Sequence, residues 1–114
     1  MDQEIQSALS NTVTNFRATL PTGISTLKGF SVNNIANAAT TYLSVFGVPA
    51  ASVVLGTTVP IFQFPIGAQS AVLETANKNN FLGQIDTGLS AAVTTTETGT
   101  TAPSTAVRVV LYFE

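Results

Sequence analysis

Turn signals constrain the fold of this chain more than any other feature. From Gly23 onward, short runs rich in Thr, Val, Ala and aromatic residues are broken by Pro, Gly and Asn at intervals of roughly ten residues, which is the texture of an all-β domain. Strands are expected near residues 29–35, 41–46, 57–64, 70–73, 84–94 and 105–113, and turns at Gly47-Val48-Pro49, Pro65-Ile66-Gly67, 77–80 and 99–103. The last run has the clearest period: Val107, Val109, Leu111 and Phe113 alternate with Arg108, Val110 and Tyr112. One face of that strand is wholly apolar, so it belongs in the middle of a sheet. Pro60 stands near the start of its run, so that strand either lies at an edge or opens at the proline. The Thr-rich stretch 91–103 completes a strand and then forms a long loop before the final run.

The beginning of the chain reads differently. Ile5, Leu9, Val13 and Phe16 recur at helical spacing, with Ala8 and Leu20 on or near the same face. This predicts an amphipathic helix from Gln3 to Thr19, ended by Leu20-Pro21-Thr22-Gly23. One helix of that length is marginal in water. Its stripe must therefore pack either on the chain's own sheet or on a neighbouring subunit, and both uses stay open. The expected organisation is a docking arm over residues 1–22 and a β-sandwich over 23–114. The expected fold class is all-β: a jelly-roll-like antiparallel β-sandwich preceded by an N-terminal amphipathic α-helix. Ile5, Leu9, Val13 and Phe16 are the candidate interface residues.

Composition excludes several kinds of function. The chain has 114 residues, enough for one domain with a real core, and contains no Cys and no His. The commonest general base and the usual soft metal ligands are thus missing, so no enzyme activity, cofactor or metal is expected. Lys28 and Lys78 are the only alternative bases, and Glu74 and Asp86, the only carboxylates around the middle turn, read as solvated turn residues. With 4 basic and 6 acidic side chains, and none between Lys28 and Glu74, no electrostatic footprint for nucleic acid exists. A surface so poor in charge favours association instead. Phe30, Phe46, Phe62, Phe64 and Phe81 read as core, and Arg108 as an outer-face residue of the last strand. The stretch 42–59 is apolar but is interrupted by Gly47, Pro49 and Gly56, so no membrane span is expected. The acidic start Met1-Asp2-Gln3-Glu4, with no apolar run behind it, predicts no signal peptide.

From Thr41 onward the pieces follow a definite order. A Tyr42-Leu43-Ser44-Val45-Phe46 strand leads through Gly56-Thr57-Thr58-Val59-Pro60 into Ile61-Phe62-Gln63-Phe64, followed by a Pro65-Ile66-Gly67-Ala68 turn. Gly88-Leu89-Ser90-Ala91-Ala92 then runs into Thr-rich sequence, and 107–112 closes the set. This order resembles a small β-sandwich module of tailed-bacteriophage structural proteins. The resemblance covers about two-thirds of the chain, residues 41–113. It implies a non-enzymatic virion protein, assembled in the host cytoplasm: a cement or decoration subunit on the head, or a neck or tail component. Its implied partners are copies of itself, with a trimer expected, and the major capsid protein or other virion proteins. An extracellular filament subunit and a carbohydrate-binding tail module are the alternatives.

Overall fold

The computed structural model describes residues 3–9, 12–17, 26–75, 83–85, 87–97 and 99–113. They form two antiparallel sheets built from β1 (Gln3–Leu9), β2 (Thr14–Arg17), β3 (Thr26–Asn33), β4 (Thr41–Phe46), β5 (Phe62–Ile66), β6 (Ala71–Thr75), β7 (Gly83–Gln84), β8 (Leu89–Thr94) and β9 (Val107–Phe113). A single 3-10 turn spans Ala50–Ser52. The first sheet has the order β1-β9-β3-β6, with β7 beside the start of β3; the second has the order β2-β8-β4-β5.

This order has a simple origin. The antiparallel pairs β4–β5, β3–β6, β2–β8 and β1–β9 nest within one another, so the chain runs out, doubles back after Phe46 and returns along itself as one long ribbon. The ribbon then curls: β9 also pairs with β3, and β8 with β4. The two halves of the ribbon thus become two sheets facing each other.

Alternation along the strands supplies the shared core. Val107, Val109, Leu111 and Phe113 of β9 are fully buried and meet Leu43 and Val45 of β4 and Leu89, Ala91 and Val93 of β8 in one cluster. Burying each large apolar side chain contributes about 1.5–3 kcal/mol. Across the sheets the Phe30 ring lies 5.3 Å from that of Phe62 and 5.0 Å from that of Phe64, both tilted. Leu27 and Phe30 stand an odd number of residues apart, yet both face inward. The register of β3 on β9 slips by one residue at Lys28, and this bulge restores the parity. As expected, β9 is central, and β5 lies at a sheet edge, where Pro65 costs no ladder bond to a further strand.

The N-terminal helix is not what the structure contains. Residues 3–9 are β1, paired with β9 along their whole length, and residues 14–17 are β2, paired with β8. Ile5, Leu9 and Val13 are four apart, and four residues make two full repeats of a strand's period of two while overshooting one helical turn of 3.6 only slightly, so the spacing suits both. Two complete strand edges, on β9 and β8, decide between the readings, because an isolated helix forgoes those ladder bonds. Residues 3–9 and 14–17 thus contribute one strand to each sheet, and the boundary expected at residue 22 lies outside the described residues.

Other differences are smaller. Pro65 and Ile66 end β5, and the turn follows them at 67–70, with Gln69 at φ 51°. Residues 57–61 are not strand; they belong to a long connection between β4 and β5. The run 84–94 divides into β7 and β8. The turn expected at 77–80, with Lys78, and residues Phe81 and Asp86 lie outside the described residues.

Candidate interaction surfaces

The two outer faces of the sandwich differ. In the β2-β8-β4-β5 sheet, alternation turns Ser44, Phe46, Ser90, Ala92 and Thr94 away from the central cluster, yet all are buried. They are covered by the connection 47–61, which folds back as a flap. Ser90 Oγ donates to the Val48 carbonyl at 2.8 Å, Thr87 N to the Gly47 carbonyl at 2.9 Å, and Ala50 N to Asn15 Oδ1 at 2.7 Å. Phe46, expected in the main core, is the apolar anchor beneath this flap, at 2% exposure. The flap turns at Gly56, whose φ of 88° favours glycine, while Thr57 N and Thr58 N both donate to the Val54 carbonyl. Val54 and Val59 project from it, 62% and 83% exposed. Between the flap and residues 94–99 lies a cavity of about 260 Å³ lined by Ser44, Phe46, Thr57, Gln63 and Glu97 among others. Gln63 Nε2 spans it, donating to Ser44 Oγ and to the Glu97 carbonyl, each at 2.8 Å.

No connection among the described residues folds over the outer face of the other sheet in the same way. On β9 the outward residues are Arg108, Val110 and Tyr112; Arg108 is exposed and the other two are half-buried. Ser31 of β3 stands opposite Val110 on one side and Leu73 of β6 on the other, so one row runs from Val110 to Leu73, which is 65% exposed. Neither the Arg108 guanidinium nor the Glu97 carboxylate has a hydrogen-bond or ion-pair partner among the described residues.

One end of the sandwich is tied by two asparagines that sequence reasoning did not single out. Asn34 is fully buried; its Nδ2 faces the carbonyls of Gly67 at 3.0 Å, Ala39 at 3.2 Å and Ile66 at 3.4 Å, and its Oδ1 accepts from Asn37 Nδ2 at 2.9 Å. Asn37 in turn donates to the Thr105 carbonyl and accepts from Thr105 N, both at 2.9 Å. Three loops, after β3, after β5 and before β9, are joined by these bonds. The only local signal was the cluster Asn33-Asn34 and Asn37 after a strand, and such clusters usually mark an exposed turn. A second cavity of about 160 Å³ adjoins Asn37 and Thr41, and the buried Thr41 Oγ1 has no hydrogen-bond partner.

The four residues expected on one docking stripe are separated. Ile5 and Leu9 belong to β1, opposite Leu111 and Val107; Phe16 sits at the β2 bulge with its ring in the core at 5% exposure; Val13 lies between the strands, half-buried. Phe16 thus packs in the chain's own core. Lys28 is buried in β3 and Glu74 pairs with Phe30 along the backbone of β6. Among the described residues no group of three acidic side chains could hold a metal ion, and no helix is long and apolar enough to cross a membrane. Compared with protein-family models, curated proteins and solved structures, the chain matches none.

Proposed function

We propose that this chain is a non-enzymatic structural subunit of a virus particle, a cement or decoration protein of jelly-roll type. The observation that carries the proposal is the strand order. Two four-stranded paths, β1-β9-β3-β6 and β2-β8-β4-β5, made by curling a single nested ribbon, are the double-sheet jelly-roll arrangement used by viral capsid and lectin domains. Fold alone does not fix function. The surface adds its own support: 4 basic and 6 acidic side chains in 114 residues, with exposed Val54, Val59 and Leu73, suit a chain that buries its faces against others. Among the described residues no aromatic side chain is in the exposed class, so the assembly reading is preferred to carbohydrate binding.

In this reading several copies bridge neighbouring units of a larger shell. Each contact is modest, and retention comes from several contacts made at once. The subunit is an oligomer, a trimer in the first instance, with the main shell protein as its second partner. Density-banded particles from a lysate that makes this chain provide the test. Peptides of the chain are expected in the particle band, in a fixed ratio to the main shell protein. Recovery only from the soluble fraction would count against the proposal.

A further inference from the structure

We infer that copies of this chain associate head to tail, the flap over the β2-β8-β4-β5 sheet of one copy docking on the outer face of the β1-β9-β3-β6 sheet of the next. The inference rests on the reading of the chain as an assembling subunit and assigns the surfaces that do the assembling.

The two surfaces complement each other in polarity and charge. The flap offers Val54 and Val59, with Glu97 lining the adjoining cavity. The other face offers a row from Leu73 to Val110, with Tyr112 and Arg108 beside it on β9. Glu97 and Arg108 are exposed charges of opposite sign on opposite sides of the sandwich, each unpartnered within the described chain. A head-to-tail contact brings the two together and covers Val54, Val59 and Leu73 at once, three of the large exposed aliphatic residues among those described, Ile35 being the fourth. A contact between two copies of the same face, or between two flaps, would leave this pair of opposite charges unmade, because Arg108 and Glu97 stand on different faces. The molecule measures 39 × 28 × 18 Å, so its broad faces can supply the about 800 Å² per partner of a standard interface. Because the two patches differ, the contact is heterologous: it closes into a ring or continues as a stack, and does not stop at a two-fold dimer.

Charge exchange tests the pairing. Sedimentation velocity over a concentration series would compare the wild type with R108E, E97R, V59D and the double exchange R108E/E97R, with circular dichroism to verify that each is folded. These positions are exposed, so the substitutions leave the fold intact. Each single variant is expected to weaken association by roughly tenfold or more, and the double exchange to recover most of the loss. If the wild type assembles and all four variants assemble as well as it does, these surfaces are not the contact and the assembly reading stands without them. If the wild type is monomeric throughout, head-to-tail self-association is overturned together with the self-assembly on which it rests.

Discussion

At the scale of single residues, the fold depends on a few side chains whose burial is complete. Leu111 sits at the middle of β9, with no exposure, between β1 and β3. Truncating it to Ala leaves a cavity and is expected to cost about 2–5 kcal/mol, read from the shift of a urea midpoint. That is a large part of the roughly 5–15 kcal/mol that holds a domain together. Asn34 matters in another way. Removing its amide strips the donor from three loop carbonyls and the acceptor from Asn37, so Asn34→Ala is expected to lose about 2–4 kcal/mol. Asn34→Asp should be worse, because it turns an acceptor toward those carbonyls where a donor stood. Equal stability of the two variants would contradict the assignment of the donor. The importance of Asn34 was not legible from its neighbours in sequence: beside the local Asn37 and Ala39, its partners Ile66 and Gly67 are 32 and 33 residues away, and only the ribbon's return brings them close.

At the scale of elements, two strands were plainly legible in the sequence. β9 shows its period of two without ambiguity, and β4 matches its expected bounds, 41–46, because its ends are marked by a change of texture and by Gly47-Val48-Pro49. β8 was blurred, since both of its faces are buried, one by the opposite sheet and the other by the flap, and a strand buried on both faces carries no alternation. The N-terminal segment was misread because its apolar spacing serves two periods. The two readings predict different behaviour on truncation. A detachable helical arm would leave a folded domain after removal of residues 1–17, whereas loss of β1 and β2 bares the full length of β9 and β8 at once. The truncated chain is expected to be unfolded or aggregated, with the dispersed amide spectrum of the full chain lost. A well-dispersed, monomeric truncated protein would show that β1 and β2 are dispensable.

At the scale of the whole molecule, the asymmetry of the two outer faces carries the functional account. One sheet covers its back with its own flap and pushes Val54 and Val59 outward; the other leaves Leu73 and Arg108 exposed, with Val110 and Tyr112 half-buried beside them. The scarcity of charge was visible in composition, but its distribution over two opposed faces depends on which residues alternate outward and on where the 47–61 connection lies, and neither follows from composition. The central claim is that this chain is built to associate with copies of itself, and the most direct test is its mass in solution by light scattering across a wide range of concentration. The account predicts a trimer or larger species that grows at the expense of monomer as concentration rises. A strict monomer at the highest concentration reached would contradict it.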